Sequence, residues 1–130
     1  MNKIVLDASA LLAVLHNEPG AEIFARHVTL LELASVSAVN AAEVHGKLIG
    51  QGIAADDAWE AVTAAAHEIV AFDAAQAKIV GGLLPETRSM GLSLGDRACL
   101  ALGTVLQSPI YTADRAWKGL RLGVPIHIIR

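Results

Sequence analysis

Four carboxylates stand at positions where they could share one task. Asp7 follows Ile4-Val5-Leu6, Glu43 lies in a helical stretch, Asp96 opens another helix, and Asp114 follows Ile110-Tyr111-Thr112. Three of the four therefore come after an apolar strand or at the head of a helix, the edge of a parallel sheet where open α/β proteins bind their ligands. Hard oxygen ligands without a matching Cys or His cluster select Mg²⁺ or Mn²⁺ rather than zinc. Acids around one or two such ions suit phosphodiester hydrolysis, with a metal-activated water and no covalent nucleophile. Without metal, carboxylates this close would raise one another's pKa. Ser9 and Thr112 lie two residues from Asp7 and Asp114. Their hydroxyls could orient a water or a carboxylate, although helix capping is at least as common a role.

Each acid has a structural role that competes with a chemical one. An Asp at a helix start most often caps free N–H groups and meets the helix dipole, and this holds for Asp7, Asp96 and Asp114 taken singly. Asp96, however, leads a helix with almost no polar face, so its carboxylate would end a buried element, where an unpaired charge is costly. Glu43 shares a face with Val39 and Asn40, and its alternative is an i,i+4 ion pair with Lys47, worth a few tenths of a kcal/mol. The histidines (His16, His27, His45, His67, His127) form no ligand spacing and read as structural or surface residues. The single Cys99 sits in an apolar helical run and reads as a small core residue. Other chemistries fit poorly: the chain has no Gly-rich phosphate loop with Lys and no Gly-x-Ser-x-Gly elbow, and Asp7-Ala8-Ser9 replaces the Asp-x-Asp of an aspartyl-phosphate enzyme.

The elements that would carry these residues alternate between strand and helix. Residues 3–6 form a short β-branched strand, and Ala10, Leu11, Val14 and Leu15 continue it as a helix. Asn17-Glu18-Pro19-Gly20 is turn chemistry, and from Ala21 a helix places Ile23, Phe24, His27, Leu30 and Leu31 on one side. Ser35-Val36-Ser37 is a second strand, leading into a helix over 38–49 that stops at Gly50-Gln51-Gly52. A further helix carries Ala55, Trp59, Val62 and Ala66 on one face, and residues 68–72 form a third strand. Asp73 then caps a helix bearing Ala77, Val80 and Leu84; residues 85–91 read as a loop. Residues 94–106 are apolar on all sides, the mark of a buried helix. Strands over 110–112 and 126–129 flank a short helix around Trp117. This alternation predicts an α/β fold with a parallel sheet covered on both faces.

With 130 residues the chain is expected to be a single domain over 1–130. A hydrophobic content of 54% is high for so short a chain and predicts that another subunit covers part of the surface. No apolar run reaches the ~20 residues of a membrane span, and Asp7 interrupts what might pass for a signal-peptide core, so the expected location is the cytoplasm. The net charge of −3 argues against general affinity for nucleic acid, but the charge is unevenly spread. Residues 1–73 carry three Lys and Arg against ten acids, whereas 74–130 carry seven against three, two of them Asp96 and Asp114. With those two neutralised by a cation, the C-terminal part would offer a basic rim to phosphates; a solvated charged face is the commoner case.

Four segments in order carry a family resemblance: Val5-Leu6-Asp7-Ala8-Ser9-Ala10-Leu11, Ser37 to Val44, Leu92-Ser93-Leu94-Gly95-Asp96-Arg97, and Thr112-Ala113-Asp114-Arg115-Ala116-Trp117. Together they resemble the PIN domain, in particular VapC-type toxins of bacterial toxin–antitoxin pairs. The resemblance implies a three-layer α/β/α sandwich with a mainly parallel sheet of about five strands. It also implies Mg²⁺- or Mn²⁺-dependent endoribonuclease activity on tRNA or rRNA, a homodimer, and a small DNA-binding, VapB-like antitoxin lying across the active site. By position, Asp7, Glu43, Asp96 and Asp114 would be the catalytic and metal-binding acids. Ser9, Asn40 and Thr112 would support them or orient water, with Arg97 and Arg115 beside the substrate. Some relatives carry a further acid after the fourth, where this chain reads Arg115-Ala116-Trp117-Lys118. Two alternatives stay open: a PIN-like module that binds RNA or protein without cutting, and a nuclease acting on DNA.

Overall fold

Strand β1 (Ile4–Leu6) occupies the middle of the molecule and is buried at every residue, as a strand covered on both faces must be. Around it a computed structural model, which describes residues 3–26 and 33–130, builds a five-stranded parallel sheet in the order β3-β2-β1-β4-β5. The remaining strands are β2 (Ala34–Ser37), β3 (Glu68–Val70), β4 (Ile110–Thr112) and β5 (Ile126–Ile128). The chain builds outward on one side of β1, through β2 to β3, then returns to the other side for β4 and β5. The crevice at the carboxyl ends of β1 and β4 is thus the point where strand order reverses, the usual ligand site of an open α/β sheet.

Helices α1 (Ala8–His16), α2 (Glu22–Arg26), α3 (Ala38–Gly50) and α4 (Ala55–Ala65) precede β3. Next come α5 (Ala74–Gly82), α6 (Leu84–Thr87) and α7 (Leu94–Leu106), with 3₁₀ turns at Arg88–Met90 and Arg115–Gly119. Alternation along β1 divides the core between the two faces. Ile4 and Leu6 pack with Leu11, Phe24, Val36, Val44, Leu48 and Val62 under α1, α3 and α4; Val5 packs with Leu100, Leu102, Ile110 and Trp117 under α7 and α5. The expected three-layer sandwich is the observed one.

Helix α7 is buried through its middle, Ala98 to Gly103, as expected of an element apolar all round, whereas Leu94 and Val105 near its ends are exposed. Gly103 lets β4 approach, since a Cβ there would lie 2.5 Å from Cγ1 of Ile110.

Three local expectations need correction. Residues 85–91 are not a plain loop; Pro85 lies in the first turn of α6, where its missing N–H costs nothing, and a 3₁₀ turn follows. Leu84 belongs to α6, not to the helix capped by Asp73. On α4 the buried positions are Ala58 and Val62; Trp59 is 43% exposed and meets His45 edge-on, with ring centroids 5.4 Å apart. Of the helix expected from Ala21, Glu22–Arg26 is observed, whereas His27, Leu30 and Leu31 lie outside the described residues.

Candidate active site

Asp7 is the N-cap of α1 and its Oδ1 accepts the backbone N–H of Ala10 at 2.8 Å. It is also the hub of a wider network. The Ser9 hydroxyl lies 2.7 Å from Oδ1, and the Thr112 hydroxyl donates to Oδ2 at 2.6 Å. Both hydroxyls are oriented from β4: Ser9 Oγ accepts the Ala113 N–H at 2.9 Å and Thr112 Oγ1 accepts the Asp114 N–H at 3.0 Å. Each hydroxyl accepts a backbone N–H and donates its own proton to Asp7. The register of β1 on β4, which pairs Leu6 with Tyr111, makes this possible by bringing Asp7 beside Thr112.

Asp7 is nearly fully buried, and burial pushes its pKa up to about 6. The hydrogen bonds from Thr112, Ala10 and Ser9 pull it down, and the negative charge of Asp96 pushes it up again.

The second half of the site joins α3 to α7. Asn40, itself buried, donates from Nδ2 both to Glu43 Oε1 at 2.9 Å and to the Gly95 carbonyl at 3.0 Å. Gly95 supplies the seat: a Cβ built on it would lie 2.6 Å from Glu43 Cδ and closer still to Oε1. The carboxylate of Glu43 therefore fills the space that any other residue at position 95 would claim. Glu43 forms no ion pair with Lys47 among the described residues, so its contacts are those of the α3–α7 junction.

Asp96 forms a capping box with Ser93: its Oδ2 accepts the Ser93 N–H at 2.9 Å, and its own N–H reaches Ser93 Oγ at 3.1 Å. Asp114 caps the 3₁₀ turn in the same manner, with Oδ1 accepting the Ala116 N–H at 2.9 Å. Each of these two acids uses one oxygen as a cap and leaves the other without a protein donor among the described residues.

Cys99 lies within the field of three of the acids. The thiol is fully buried on α7, and its pKa is raised by that burial and then by the charges of Asp7, Asp96 and Glu43, which all act on one point in the core. The acids nevertheless form no closed cage: among the described residues no three Asp, Glu, His or Cys side chains are gathered tightly enough to hold an ion as they stand. The residues fit a hard cation in other respects. The donor set is all oxygen, Asp7 is a buried carboxylate whose ionised form a cation would favour, and the buried Oδ1 of Asn40 has no partner. Asp7, Glu43, Asp96 and Asp114 would hold it.

The two predicted arginines bond to backbone carbonyls. Arg97 makes a long contact from Nε to the Ser93 carbonyl, 3.4 Å, and Arg115 donates to the Arg130 carbonyl at 3.0 Å. Neither forms an ion pair with an acid of the site among the described residues. Gly95 was not singled out by sequence reasoning; the signal was a glycine in the first turn of a helix, a poor helix former just before the acid.

The PIN-domain family profile matches residues 4–121. No curated protein matches by sequence. Among solved structures, a chain of VapBC2 from Rickettsia felis, crystallised with a promoter DNA fragment, superposes with a TM-score of 0.74 over 98% of both chains at 14% identity. A chain of DNA-bound VapBC from Salmonella typhimurium gives 0.73 over all of both chains at 17% identity. One from VapBC-5 of Mycobacterium tuberculosis, a member of the VapBC family of toxin–antitoxin systems, gives 0.59 over 100% of this chain and 99% of that one at 19% identity. At such identities the likeness is one of fold. The profile covers nearly the whole sheet and all four acids, and the chain belongs to the PIN-domain family.

Proposed function

We propose that the protein is a divalent-metal-dependent endoribonuclease, the toxin of a toxin–antitoxin pair, cutting a structured cellular RNA such as tRNA or rRNA. The observation that carries this reading is the hydrogen-bonded setting of Asp7 at the carboxyl ends of β1 and β4, where Ser9 and Thr112 hold its carboxylate and Thr112 also accepts the Asp114 backbone N–H, in a chain of the PIN-domain family. When bound, Mg²⁺ or Mn²⁺ supplies the activated water and neutralises charge on the phosphate. The protein's part is to hold the ligands. Ser9 and Thr112 fix the carboxylate plane of Asp7, while Asn40 and Gly95 fix Glu43. The solved complexes of similar fold favour a small DNA-binding antitoxin as partner. Exposed Trp59, Ile49 and Ile53 are consistent with a homodimer or another covered face.

Incubating the purified, partner-free protein with total cellular RNA, and separately with single-stranded DNA, in Mg²⁺ or Mn²⁺ and in chelator tests the reading. Discrete RNA fragments that need metal and vanish in Asp96→Asn are expected. Cutting of DNA alone would favour the DNA nuclease. No cutting by the folded wild type would favour the non-cleaving module.

A further inference from the structure

A groove leaves the candidate active site on the α1 side. It encloses about 200 Å³, begins at Ser9, and continues past Leu12 and His16 of α1 between Lys47 and Gln51 on one wall and Glu18 and Arg130 on the other. Ser9 is itself in contact with Asp7, so the groove and the acids share an edge. Its charges are unlike those of the site. Lys47 is exposed and forms no ion pair among the described residues. The Arg130 guanidinium is fixed by one bond to the Pro19 carbonyl at 3.1 Å and by a long ion pair with Glu18 at 3.8 Å, which leaves other N–H donors unused.

A polyanion cannot approach a cluster of carboxylates unless cations flank it, and metal at the acids compensates only the phosphate held there. We infer that this groove binds the RNA strand next to the scissile phosphate, with Lys47 and Arg130 holding a neighbouring phosphate and Leu12, His16 and Gln51 facing the nucleotide attached to it. The inference rests on the endoribonuclease reading and adds the path of the substrate. The mixture of an apolar floor, an amide, an imidazole and two cations suits a splayed-out single-stranded nucleotide better than a duplex, which is recognised by shape across its grooves. Glu18 is the one acid of the groove, so it opposes the same phosphate.

The test uses the full chain carrying Asp96→Asn and a fluorescein-labelled, mixed-sequence single-stranded oligoribonucleotide, titrated at several salt concentrations. Lys47→Gln and Arg130→Gln are each expected to lower the salt slope of log K by about 0.7, the value for one phosphate contact on a single strand. Glu18→Gln is expected to tighten binding, a gain that a structural role would not produce. Lys78→Gln, on the opposite layer, removes the same charge and should change nothing. In the cleaving enzyme Lys47→Gln should raise KM for cleavage and leave kcat unchanged. Equal losses from Lys47→Gln and Lys78→Gln would overturn the groove. So would RNA binding indifferent to all three groove substitutions while the wild type still cuts RNA, and the groove would then be free for a protein partner. Absence of RNA cutting by the wild type would instead sink the function on which the inference rests.

Discussion

Asp7 carries the clearest consequence at the level of single residues. Its pKa is about 6 in the folded protein against 3.8 for an ordinary Asp, so the folded chain holds this proton more tightly than the unfolded one. The stability this gives is complete below about pH 4 and is lost as pH rises through 6, a difference of about 3 kcal/mol between those limits. Urea unfolding of metal-free protein should therefore show stability falling from pH 4 to pH 8, and Asp7→Asn should flatten the trend. A second prediction concerns Gly95. Gly95→Ala must push the Glu43 carboxylate off its seat, and displacement of a reacting group by about 1 Å can cost on the order of 100-fold in rate. The variant should stay folded by circular dichroism while RNA cleavage falls by roughly that factor. Sequence singled out Asp7, Ser9 and Thr112 because strand ends are easy to recognise, but that Thr112 reaches Asp7 follows from the pairing of β1 with β4, which no local pattern shows. The seat of Glu43 was not legible, because it depends on how closely α3 approaches α7, and no local pattern encodes that distance.

At the level of elements, three of the four acids double as caps. The capping reading and the chemical one, which compete when the sequence is read residue by residue, coexist here. A helix N-terminus needs one acceptor, and a carboxylate has two oxygens to give. The two roles of Asp96 can be separated by substitution. Ser93→Ala removes half of the capping box and should cost about 1 kcal/mol in urea unfolding, with cleavage reduced by less than tenfold. Asp96→Asn keeps an acceptor for the Ser93 N–H and should leave stability within about 1 kcal/mol while abolishing cleavage. If both variants lost stability and activity in parallel, Asp96 would be a cap and nothing more. The strands were readable as short apolar β-branched runs, and α7 as a helix apolar on every side. Helix α6 was hidden because Pro85 reads as a breaker in sequence, yet is at home in a first turn.

For the whole molecule, the strand order makes the site. A sheet that grows outward on both sides of β1 leaves a crevice where neighbouring connections diverge, with Asp7 at the end of β1 and Asp114 just past the end of β4. The parallel sheet was legible from the alternation of strands and helices, but its order, and so the crevice, depends on contacts far apart in sequence. The central claim is that four acids from separate elements form one cation site, although among the described residues no ready-made cage gathers them. Calorimetric titration of Mn²⁺ into the metal-free protein at pH 6, where about half of Asp7 is protonated, beside Asp7→Asn and Asp96→Asn, addresses it most directly. The account predicts saturable binding to the wild type, with proton release from Asp7 visible as a dependence on buffer ionisation heat, and binding at least tenfold weaker in either variant. Equal binding by all three proteins, or none by the wild type, would contradict it.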